Sequence, residues 1–142
     1  MVRTSIVEGP LPTHQADDSH REHGAELVFF GRVRDQEHGK PIIALEYEHY
    51  AGMAERELER LAQQTLERFA IGELHCDHRV GRVEVGHASL RVAIWSRHRQ
   101  AGLEAMAWFI SELKKSVPIW KWAITADGER FPSHCDHAEP SF

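Results

Sequence analysis

The chain has 142 residues, of which 42% are hydrophobic and 27% charged, and its formal net charge is −5. That length and composition suit one globular domain with a real core, while the acidic balance argues against broad nucleic-acid binding, which calls for a basic surface. No apolar run approaches membrane-spanning length, the N-terminus has no signal-peptide core, and two cysteines, Cys76 and Cys135, are too few for a disulfide framework; a cytoplasmic protein with free thiols is expected.

Met1–His23 opens with a short apolar run, Ser5-Ile6-Val7, followed by Gly9-Pro10-Leu11-Pro12 and a polar stretch with no core face. It reads as peripheral, as does the Pro-containing tail over 132–142. Residues 1–142 are expected to form a single domain. Ala25–Val33 is a continuous apolar run rich in β-formers and predicts a buried strand. If the strand persists, Arg32 and Arg34 project to one side. Gly39 and Pro41 mark a loop. Ile43, Leu45, Tyr47 and His49 then alternate with Ala44, Glu46, Glu48 and Tyr50, a half-buried strand expected to pair with the first as a hairpin.

Met53–Phe69 predicts an amphipathic helix with Leu58, Leu61, Thr65, Leu66 and Phe69 inward, stopped by Gly72. Leu74, Cys76, His78 and Val80 mark a third strand, and Gly81 and Gly86 bracket a turn region. Leu90, Val92 and Ile94 mark a fourth strand. A second helix is expected from about Gln100 to Ser116, with Leu103, Met106, Ala107, Ile110 and Leu113 as its apolar face. Pro118 ends it, because proline has no N–H to donate and disfavours helical geometry at Val117. Trp120, Trp122 and Ile124 alternate as a strand, and Asp127-Gly128 signals a hairpin with a short return strand at Glu129-Arg130-Phe131. The order strand-strand-helix-strand-strand-helix-strand is α+β: a mostly antiparallel sheet with two main helices and a small extra β-hairpin.

The chemistry concentrates at Leu113–Lys121, LKKSVPIWK. Lys114 falls on a last helical turn and Lys121 near the start of a strand, with a stiff Pro–Trp corner between them. Lysines in a last turn also complement the helix macrodipole on an ordinary surface. Held close together or half-buried, however, they acquire lowered pKa values and serve acyl and carbonyl chemistry. A second basic cluster, Ser96-Arg97-His98-Arg99, sits where a helix N-terminus favours anions, and the alternative there is a solvated loop. With Arg32 and Arg34 as a third cluster, an acidic chain carries cations at three element ends. That pattern points to a pocket for a small anion.

The eleven histidines are scattered. The nearest metal-like groupings, His75-Cys76-Asp77-His78 and His134-Cys135-Asp136-His137, lack the spacing of a structural zinc site. No metal and no cofactor is expected, and the histidines read as solvated or incidental. No Ser-His-Asp order stands out, and neither cysteine has the cationic setting of a nucleophile.

Five pieces in order carry a family resemblance: Phe30-Gly31-Arg32-Val33-Arg34; Leu45 to Met53 (LEYEHYAGM); His78-Arg79-Val80-Gly81; Ser96-Arg97-His98-Arg99; and Leu113–Lys121. Together the chain resembles the large, catalytic subunit of molybdopterin synthase from about Gly24 to Phe131. The resemblance implies an α/β-hammerhead-type fold and a central homodimer. It further implies one small ubiquitin-like subunit per protomer, giving a heterotetramer. The small subunit's C-terminal thiocarboxylate would pass sulfur in two rounds to cyclic pyranopterin monophosphate, building the dithiolene of molybdopterin. Lys114 and Lys121 match the family's catalytic lysines. Arg34, His98 and Arg99 match residues lining its anion and pterin pocket, part of which comes from the other protomer. Two positions depart from the pattern. Ala123 stands where a glutamate is usual, two residues after the second lysine, and Trp122 where a basic residue is common. The alternative reading is a catalytically weakened paralogue that keeps the dimer and the docking of the small subunit.

Overall fold

The structure, a computed structural model, describes residues 1–15 and 19–133. The grouping His134-Cys135-Asp136-His137 lies outside the described residues. Nine strands and two helices occur among them: β1 Val2–Glu8, β2 Ala25–Arg32, β3 Gln36–Glu37, β4 Lys40–Pro41, β5 Ala44–His49, α1 Met53–Arg68, β6 Ile71–Glu84, β7 Ala88–Ser96, α2 Arg99–Ser116, β8 Ile119–Ile124 and β9 Arg130–Ser133. The architecture is α+β. The main sheet runs β2-β7-β6-β5-β8-β9, with β1 also paired to β6, and all its pairings are antiparallel except β1–β6.

β6 organises the sheet. Over its first half it lies between β7 and the parallel β1, and from Gly81 to Glu84 it pairs with β5 instead. Gly81 has φ +85°, a conformation in which a side chain would be strained. It therefore sits inside the strand at the change of partner, and the turn itself is confined to the residues around Gly86.

The main core lies between the two helices and the β1-β6-β7-β2 half of the sheet. Leu58, Leu61, Leu74, Cys76, Val92, Ile94 and Phe109 belong to it, and Val2, Ile6, Leu27 and Phe29 pack against it. A smaller core on the other half joins Val33, Ile42, Leu45, Val83 and Ala123, with Tyr47, Val85 and Phe131 at its margin.

Several expectations are corrected. Val2–Glu8, read as peripheral, is a strand of the main sheet, and the polar residues of Arg3-Thr4-Ser5 pair along β6 in parallel register. β2 and β5 do not form a hairpin: β2 is an edge strand on β7, and β5 lies between β6 and β8. As an edge strand β2 is only half-buried, with Leu27 and Phe29 inward and Val28 exposed. The loop between them folds into its own β3–β4 hairpin. α1 ends at Arg68 with an extended Phe69 at its cap, so Gly72 does not stop it but lies in β6, where the His23 ring leaves no room for a Cβ. The apolar face of α2 is Gly102, Ala105, Met106, Phe109, Ile110 and Leu113, whereas Leu103 and Ala107 are exposed.

Several histidines carry packing rather than chemistry. His20 stacks on Trp95 at 4.5 Å, and His14 accepts from Arg91 at 2.6 Å, so both tie the N-terminal segment to the sheet. Cys76 is wholly buried, which pushes its thiol far above the ordinary range and leaves it no thiolate character. Among the described residues no helix is long and apolar enough to cross a membrane.

Candidate functional site

Local sequence builds the site at the corner between α2 and β8. Val117 caps the helix in an extended conformation, as a residue before proline must, and its N–H still reaches the carbonyl of Leu113 at 3.1 Å. The Pro118 carbonyl accepts from the Tyr50 N–H at 3.1 Å, which pins the corner to the end of β5. Lys114 is half-buried on the last turn of α2, Lys121 is half-buried as the third residue of β8, and Lys115 is exposed beside Glu112. The two predicted catalytic lysines thus flank one rigid corner.

Register fixes what surrounds Lys121. Its cross-strand neighbours are Tyr47 on β5 and Ser133 on β9, all on one face of the sheet. The same face continues into the small core, where Leu45, Ala123 and Phe131 lie side by side. Over this face folds the β3–β4 hairpin, which brings the Glu37 carboxylate to 3.8 Å from the Lys121 ammonium. The same oxygen of Glu37 is 3.7 Å from the Arg34 guanidinium, and the other oxygen accepts from the Ser133 hydroxyl. Glu37 is only 7% exposed, whereas the Arg34 side chain is 69% exposed. A buried anion therefore gathers two of the predicted site cations, one of which faces solvent.

Beneath Lys121, the Tyr47 ring meets His78 edge-on at 5.4 Å, and its hydroxyl donates to Ser89 at 3.1 Å. Burial pushes His78 down to about 4, and the neighbouring charges of His49 and Lys121 act in the same direction. The neutral ring is bonded through Nδ1 to the Arg79 carbonyl at 2.8 Å, so the proton lies on that nitrogen. His78 is thus a neutral ring set against Tyr47, the cross-strand neighbour of Lys121.

The remaining predicted cations separate. A bulge between Gly31 and Arg32 breaks the alternation. Arg32 turns to the Gly86 carbonyl at 3.0 Å while Arg34 goes to Glu37, so the two do not share one side as expected. His98 is the N-cap of α2 and Arg99 its first residue, both exposed. Fifteen residues of helix put Arg99 roughly 22 Å from Lys114. One protomer therefore brings Arg34 and Lys121 together, with Lys114 at the adjoining corner, and leaves His98 and Arg99 at the far end of the helix. Glu37, Tyr47 and His78 were not singled out from sequence as site residues. For Glu37 the available signal was a carboxylate in the tight turn DQEHGKP, three residues from Arg34 and directly before the His38-Gly39 corner.

Comparison with known proteins bears on this site. A family model described as MoaE protein matches residues 6–116. The molybdopterin synthase catalytic subunit of Pyrococcus abyssi is 41% identical over 106 residues, covering 75% of this chain and 72% of that protein. The molybdopterin synthase catalytic subunit of Escherichia coli K12 is 32% identical, covering 92% of this chain and 91% of the relative. In structure, the chain is similar to the molybdopterin synthase from Staphylococcus aureus, with a TM-score of 0.79 and 31% identity over 91% of this chain and 96% of that one. Matched by the family model over most of its length, and by relatives across more than two thirds of theirs, the chain belongs to the MoaE protein family of molybdopterin synthase catalytic subunits.

Proposed function

We propose that this chain is the catalytic subunit of a molybdopterin synthase. It takes sulfur from the C-terminal thiocarboxylate of a small ubiquitin-like partner and delivers it to cyclic pyranopterin monophosphate. The relatives are named catalytic subunits, a name that implies a second subunit. The expected assembly is a heterotetramer built on a central homodimer, and the setting is the cytoplasm.

The observation that carries the reading is the clustering of Arg34 and Lys121 on buried Glu37, at the corner where the helix of Lys114 ends. Donor and acceptor are both anions, a thiocarboxylate and a cyclic phosphate. A site with cations projecting from a strand, a loop and a helix end suits both. Lys114 holds the thiocarboxylate and moves protons as sulfur attacks. Lys121 stabilises the oxyanion or pterin intermediate that develops. Arg34, with its guanidinium largely in solvent, meets the incoming anion. His98 and Arg99 serve the anion and pterin pocket from the other end of α2.

The test is sulfur transfer. The chain is mixed with thiocarboxylated small subunit and cyclic pyranopterin monophosphate, and molybdopterin is measured. Product that disappears with Lys114→Ala supports the reading. Tight binding of the small subunit without product identifies a weakened paralogue, and neither binding nor product overturns the assignment.

A further inference from the structure

We propose that Glu37 is the positioning residue of this site: its buried carboxylate fixes the Lys121 ammonium in its working place. The proposal rests on the synthase reading above. β8 itself offers no carboxylate on the face of Lys121. The next residue on that face, Ala123, is fully buried between Leu45 of β5 and Phe131 of β9. A lysine on a four-carbon stem has many rotamers, and a group that must meet a developing charge needs one of them held.

The hairpin that carries Glu37 is built for this. His38 and Gly39 both have positive φ, +51° and +79°, as a two-residue turn between paired strands requires. Glu37 is the last residue of β3 before that turn, opposite Lys40. The hairpin is clamped at both sides. The Ile42 N–H donates to the Asp35 carbonyl at 3.0 Å, and the Lys40 ammonium sits over the Phe131 ring at 5.1 Å. Ser133 donates to the oxygen of Glu37 that the cations leave. A carboxylate this buried is costly unless paired and hydrogen-bonded. Its one shared oxygen therefore draws Lys121 and Arg34 together from two different elements.

Glu37→Gln keeps the size and the acceptor for Ser133 but removes the charge. In the sulfur-transfer assay it is expected to lower kcat by about 10-fold or more while KM changes by less than about 3-fold. Thermal unfolding of the variant checks that the fold is kept. In a Lys121→Ala background the same change is expected to have little further effect, because the carboxylate acts through the lysine. Glu37→Gln activity within about 2-fold of wild type, or losses that multiply in the double variant, would overturn the proposal. A wild-type chain that makes no product overturns the synthase reading instead. The positioning is then read from NMR of the Lys121 side chain, restricted in the wild type and mobile in Glu37→Gln. Equal mobility in both sinks it independently of turnover.

Discussion

Burial on β6 keeps the His78 imidazole neutral down to about pH 4, whereas in the unfolded chain it takes a proton near 6.5. Between those values the unfolded state binds the extra proton, so this residue makes stability fall as pH falls. From pH 7 to pH 5 the loss from His78 alone is about 2 kcal/mol. Burial also lowers His75, which acts in the same direction. Urea titrations at the two pH values should therefore show a clear drop for the wild type and a visibly smaller one for His78→Gln. Equal drops would mean that His78 is hydrated in solution. The lysines give a second residue-scale contrast. Lys114→Ala and Lys121→Ala should each reduce turnover by about 100-fold or more if they act on charge in the transition state. Lys115, exposed and 3.8 Å from Glu112, should tolerate alanine with less than a few-fold loss. Similar small losses at all three positions would remove both lysines from the chemistry.

The elements were legible wherever local pattern decides them. Both helices, the Pro118 stop, β5, β7 and the β8–β9 hairpin follow from periodicity and turn chemistry alone. What was not legible depends on partners distant in sequence. The apolar run in β1 is too short to declare a strand by itself, and the parallel partner that makes it one lies more than sixty residues away. β2 and β5 invite a hairpin, yet β2 is claimed by β7 and β5 by β6 and β8. On α2 a stripe through Leu103 scores as well as one through Phe109, and only the neighbours choose. At Gly102 an added Cβ would lie 2.7 Å from both Leu27 Cδ1 and Ser96 Oγ, so the helix turns that face to the sheet and Leu103 outward. In the candidate site the corner lysines and Arg34 were readable from residue type and position. Glu37 was not, because its burial arises from a hairpin folding over a face made by β5, β8 and β9. The close approach yields an element-scale prediction. Alanine should favour a helix over glycine by about 1 kcal/mol, but overpacking costs about 1–3 kcal/mol. Gly102→Ala should thus be net destabilising in a denaturant titration, with faster hydrogen exchange in β2. A stabilised variant would show that Leu27 moves aside freely.

At the scale of the whole molecule, α2 is a rod with one predicted cationic group at each end. Lys114 stands at its C-terminus and His98 with Arg99 at its N-terminus, roughly 22 Å apart. No single protomer can close those groups around one small pterin. If both ends serve catalysis, the site must be completed by a second copy, and a two-fold dimer that sets the two α2 helices antiparallel across its axis would bring the N-terminal end of one beside the C-terminal corner of the other. This geometry predicts complementation between dead variants. Lys114→Ala and Arg99→Ala homodimers should each be nearly inactive. When they are mixed and allowed to exchange subunits, half of the dimers become mixed. Each mixed dimer has one pocket carrying both defects and one carrying neither, so activity should recover to about a quarter of the wild-type value. Sites built within single protomers would give no recovery at all, because every pocket would then carry one of the two substitutions. Recovery that requires co-refolding, and not simple mixing, would still place the pocket between protomers while showing that the dimer exchanges slowly.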